Sequence, residues 1–142
     1  MATISEQQAE LEIYQALEMF FSERLRGGFY TSGTRPEDSR TEDAVVGVSA
    51  VTAEQIQTGR ARINVYVPDL DNGSGHPVPD KARLAEISSW SDEVAGILDE
   101  TLPWEFWLFQ AASVSAERID GTTSDSSQHC VTIAVQFKTQ PN

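Results

Sequence analysis

Two histidines and one cysteine are the side chains whose acid–base or nucleophilic chemistry would matter most near neutral pH. His76 lies in a stretch rich in Gly and Pro, and His129 opens an apolar alternation beside Cys130. Neighbours on a strand point to opposite faces, so His129 and Cys130 cannot form a nucleophile–base pair with each other. Cys130 reads as a small buried residue, and His129 as a polar residue at a strand edge. The chain contains no GxSxG elbow, no HExxH, no GxGxxG and no Walker A loop. No catalytic residue is assigned, and the expectation is a protein that is not an enzyme.

Carboxylates offer two further patterns. Asp69-Leu70-Asp71-Asn72-Gly73-Ser74-Gly75 presents Asp-x-Asp on a turn-rich loop, and hard cations seek several such oxygens. An EF-hand needs Gly at its sixth place and a bidentate Glu at its twelfth; here Ser74 and Asp80 stand there. A small binding module with a calcium loop at residues 69–80 is therefore the alternative function, with no metal or cofactor assigned. Glu42 and Asp43 are adjacent, so their side chains diverge on a strand and do not converge on one glycosidic bond. They read as an edge-protecting or turn-forming cluster. Aromatic residues gather at Trp104, Phe106 and Trp107. Phe106 and Trp107 must face opposite sides of a strand, which leaves one of them for a partner to cover.

The elements that position these groups follow from periodicity. Ser5 and Gln8 form a capping-box pair. Leu11, Tyr14, Leu17, Phe21 and Leu25, widened by Ile13 and Phe20, then predict a helix over about 5–26 that stops at Gly27-Gly28. A polar loop occupies 32–43. Strands are predicted over about 44–52 and about 60–67, the second on the alternation Ala61, Ile63, Val65, Val67. Asp80 caps a helix over about 80–101 with the stripe Leu84, Ile87, Trp90, Val94 and Ile97. Pro103 ends it, and strands over about 105–118 and about 128–138 follow. The expectation is one α+β domain over 1–142, with a mainly antiparallel four-stranded sheet and two helices packed on one face, in the order α-β-β-α-β-β.

The chain has 142 residues and a formal charge of −12, from ten Lys and Arg against 22 Asp and Glu. A phosphate backbone is gripped by clustered basic groups, and the basic residues here are scattered, so tight nucleic-acid binding is not expected. The same holds for an anionic membrane surface. A single cysteine excludes an intrachain disulfide. The polar start, Met1 to Gln8, lacks a signal-peptide pattern, and no apolar run reaches the ~20 residues of a membrane span. A bacterial cytoplasm is the expected compartment.

The string Arg35-Pro36-Glu37-Asp38-Ser39, then Glu42-Asp43 leading into Ala44-Val45-Val46, resembles small phage and prophage tail-completion proteins of the tail terminator type. Ile63-Asn64-Val65-Tyr66-Val67-Pro68-Asp69 carries the same resemblance. It implies a structural virion-assembly protein: a homo-oligomeric ring, typically a hexamer, that caps the tail tube and contacts head-completion proteins. DNA would pass through its lumen without being gripped, and the protein would end in the virion tail. The loops 32–43 and 68–79 are the expected contact elements. Arg35, Glu42, Asp43, Asp69, Asp71 and Trp107 are the candidate subunit or partner contacts, with Arg35 expected to meet a carboxylate such as Asp43 or Asp69 across a subunit boundary.

Overall fold

The structure is a computed structural model and describes residues 3–36, 39–70, 77–118 and 127–139. Helix α1 spans Glu6–Arg24. Its capping box is formed as expected: Ser5 Oγ accepts from the Gln8 N–H at 3.2 Å, and Gln8 Oε1 accepts from the Ser5 N–H at 3.0 Å. The buried stripe is Ala9, Ile13, Leu17, Phe20 and Phe21. This is rotated from the predicted face, and Leu11 is half exposed. Small Ala9 one turn before Ile13 lets the first turn approach the sheet, which a search for large apolar residues overlooks.

The helix ends at Leu25, two residues before the glycines. Gly27 serves close approach instead: a Cβ there would collide with the Glu42 carbonyl and the Asp43 carboxylate. After it comes β1, Phe29–Thr31, which the sequence reading did not anticipate. The next strands are β2, Asp43–Ser49, and β3, Thr58–Pro68.

The predicted second helix is broken in two. Helix α2 spans Lys81–Ser88 and α3 spans Ser91–Thr101. Asp80 caps α2 as expected, its Oδ1 accepting from the Arg83 N–H at 3.2 Å. The break lies among serines whose hydroxyls donate to local carbonyls: Ser88 to Leu84, Ser89 to Glu86 and Ser91 to Ser88. Such bonds compete with the helical ladder. The second segment buries Val94 and Leu98, and Ile97 is only partly covered.

The predicted strand at 105–118 is also interrupted. Strand β4 spans Glu105–Leu108, β5 spans Ser113–Arg118 and β6 spans Ser127–Lys138. Leu108 pairs with Val135 and Ser113 with Thr132, so residues 109–112 bulge opposite only Ile133 and Ala134. The sheet is therefore mixed and six-stranded, in the order β1-β2-β3-β6-β4, with β5 continuing along the same edge of β6. Only β1 against β2 is parallel among these pairings. The expected four strands are six, because β1 was not anticipated and the predicted 105–118 strand is split by the bulge; the α+β class and the mainly antiparallel pairing hold.

Cross-strand register sorts the side chains into two faces. Ala44, Val65 and Val131 form one inward row, and Val46, Ile63 and Ile133 the next. Ala61 and Val135 follow, then Gly59 and Phe137 beside Phe106. These residues join the buried faces of the three described helices in a single core. Among the described residues, the other face of the sheet carries no helix.

Candidate functional site

The helix-free face has two halves. At the end where β2 begins, Asp43, Tyr66 and Cys130 share a row. Here the chain covers its own sheet. Arg35 lays its guanidinium over the Tyr66 ring, 4.2 Å from the centroid, and donates to Gln128 Oε1 at 3.2 Å. Its Nε donates to Asp43 Oδ2 at 3.0 Å. Asp43 is fully buried and accepts from the Gly28 N–H at 2.7 Å, the Thr41 hydroxyl at 2.7 Å and the Ser39 hydroxyl. Burial alone would raise its pKa; the donors Ser39, Gly28, Thr41 and Arg35 outweigh that and hold the carboxyl below its ordinary value.

Glu42 diverges from Asp43, as adjacency demands, and turns toward α2. Arg83 Nε donates to its Oε2 at 2.8 Å and Nη2 to its Oε1 at 2.6 Å, a two-pronged pairing. The Arg26 N–H adds a third bond at 3.2 Å. Arg83 also donates to the Arg24 carbonyl at 2.7 Å and pairs with Glu86. The Glu42 carboxylate raises the Arg83 pKa, against the effect of burial. One dipeptide thus fastens the loop over the helix-free face and the α1–α2 corner on the other side. Four donors fill the acceptor sites of Asp43, and three hold Glu42, two of them from Arg83.

The expected partner of Arg35 is hence Asp43 of its own chain. Arg83, Ser39, Gln128 and Gly27 complete the cluster and were not singled out from sequence. Asp80 and Arg83 stand at the start of a legible helix, but nothing local ties Arg83 to Glu42, 41 positions away. The Asp69 side chain is buried and lies 2.7 Å from His129 Nδ1. Asp71 and His76, with half of the proposed calcium loop, lie outside the described residues. Of that loop's other carboxylates, Asp69 faces His129 and Asp80 caps α2. Among the described residues no three His, Cys, Asp or Glu side chains are grouped to hold a metal. A cleft of about 260 Å³ beside Glu42 is lined by Arg26, Arg40, Asp69 and Asp80. Its described carboxylates are those already bonded.

The other half of the helix-free face is bare among the described residues, with Arg60, Arg62 and Trp107 exposed. Ser49, Arg60, Gln136 and Trp107 form one row, and Arg62 beside Ala134 the next. Trp107 is 41% exposed whereas Phe106 is 7% exposed, the split expected from strand alternation. Arg60 is held over the Phe109 ring, 4.1 Å from its centroid. Lys138 and Glu105 pair at the end of the face.

No family model matches the chain, and no curated protein matches it. One solved structure, of a protein whose name describes no activity, overlaps 96% of this chain and 96% of its own. The two share 14% identity, with a TM-score of 0.41. No described helix is long and apolar enough to cross a membrane.

Proposed function

We propose that this chain is a structural phage or prophage tail-completion subunit, forming a ring, hexameric in the simplest case, that caps the tail tube and joins it to the head. The observation that carries the reading is the bare half-face. A large aromatic side chain stands exposed there among arginines, while the neighbouring half is closed by the chain itself. Exposed aromatic and arginine side chains are what subunit interfaces favour. The resemblance of residues 35–46 and 63–69 to tail terminator proteins supplies the biological setting. An acidic ring would repel the phosphates of DNA passing through it. Assembly in the bacterial cytoplasm and residence in the virion tail follow from the same reading.

Light scattering over a range of concentrations tests it, together with the lengths of tail tubes assembled with and without the protein. A ring of about six subunits and tubes of defined length support the reading. A monomer at every concentration with no effect on tube length overturns it. A mass that changes only on adding calcium favours the binding-module alternative.

A further inference from the structure

Charge is partitioned between the two sides of the molecule. Helices α1, α2 and α3 carry ten carboxylates and three basic side chains. The described residues of the bare half-face carry Arg60, Arg62 and Lys138 against Glu105. On the helical side, α1 and α3 enclose a groove of about 320 Å³. Ala16, Met19, Phe20 and Ile97 give it an apolar lining, and Glu23 and Glu93 rim it. The rim carboxylates are 65% and 60% exposed, and Met19 is 73% exposed. Arg24 crosses the groove's edge over the Phe20 ring, 3.8 Å from Glu23 and 3.7 Å from Glu93, so the rim keeps one net negative charge.

We infer that the bare half-face of one subunit docks into the α1–α3 groove of a second copy, Trp107 entering the apolar groove while Arg60 and Arg62 meet Glu23 and Glu93. The inference rests on the ring reading and names the two faces that would close it. The patches differ in shape and sign, so each complements the other and repels its own kind. That geometry produces a head-to-tail contact and not a two-fold one. Arg60 is already held by Phe109, so less side-chain freedom is lost on docking. Opposed exposed charges are screened by salt, so association weakens as ionic strength rises.

The test uses two charge-reversed variants of the full chain, each confirmed as folded by circular dichroism. Arg60→Glu with Arg62→Glu makes the sheet patch acidic, and Glu23→Lys with Glu93→Lys makes the groove basic. Each variant alone sets like charges against each other, and association falls at least tenfold relative to wild type. An equimolar mixture restores both complementary contacts and recovers the wild-type mass by light scattering. Trp107→Ala weakens association at least tenfold without altering the fold. Variants that assemble as wild type does, or a mixture of folded variants that stays monomeric, overturn the docking while leaving the ring intact. A monomeric wild type overturns ring and docking together. Oligomers built through these faces that leave tube length unchanged uphold the docking and overturn the tail assignment. Duplex DNA bound by wild type and released by Arg60→Glu with Arg62→Glu, with assembly unaffected, assigns the basic patch to nucleic acid and overturns the docking.

Discussion

The two halves of the helix-free face are built from the same strands yet are finished differently. At the Asp43 end Arg35, Ser39 and Thr41 fold back on the sheet, and every oxygen of a buried carboxylate meets a donor. At the Trp107 end Arg60, Arg62 and Trp107 remain exposed among the described residues. The covered half depends on polar groups that are costly to leave unpaired. The bare half has no such dependence, because its arginines and tryptophan already meet water. Stability is concentrated where the chain closes on itself, and the capacity for new contacts lies where it does not.

The sharpest way to break this comparison is Asp43→Ala, which strands Arg35 and the Gly28 N–H. It should lower the unfolding free energy by about 3–5 kcal/mol, measured by urea titration; a loss under about 1 kcal/mol would remove the distinction between the halves. The same carboxyl sets an acid response. Held below its ordinary 3.8, it contributes fully above about pH 4, and that contribution fades as pH falls through the folded-state value. Below pH 4 the unfolded carboxyl binds more protons than the folded one. Asp43→Asn should therefore show a shallower loss of stability on acidification than wild type.

Under the bare half, Gly59→Ala would place a Cβ 2.5 Å from the buried Phe137 ring. Overpacking of that kind costs about 1–3 kcal/mol, read as a lower melting temperature. Ser5→Ala removes the capping-box acceptor and should cost about 1 kcal/mol, localised to α1 by faster amide exchange in its first turn. Glu93→Gln is the smallest: its bridge to Arg24 is exposed and 3.7 Å long, so the monomer should change by less than about 0.5 kcal/mol. That value separates a loss of assembly on altering Glu93 from a loss of folding.

Legibility in the sequence tracks how local the physics is. The alternation in β3 and β6, the Ser5 and Asp80 caps and the opposite facing of Phe106 and Trp107 all rest on neighbours a few residues apart, and all were readable. Three-residue β1 is too short to show a period. The α2–α3 break was hidden because Leu84, Ile87, Trp90 and Val94 keep helical spacing across it, while serine side chains end the ladder. The bulge at 109–112 breaks a run that local pattern reads as one strand, and only the register against β6 reveals it. Arg83–Glu42 and Arg35–Gln128 join positions 41 and 93 apart, and no short-range pattern marks such partners. Glu42 and Asp43 were visible as a pair, but their division between two sides of the sheet became specific only with the tertiary fold.

Cys130, 3% exposed in β6, sits between Tyr66 and Ser115 in register and is the chain's only cysteine. A thiol-specific reagent would react with it only in molecules whose sheet has opened at that row. Its labelling rate in the absence of denaturant therefore reads the free energy of that opening directly, when reclosing outpaces reaction. The protein carries a native clock for the integrity of its covered half, with no probe to introduce.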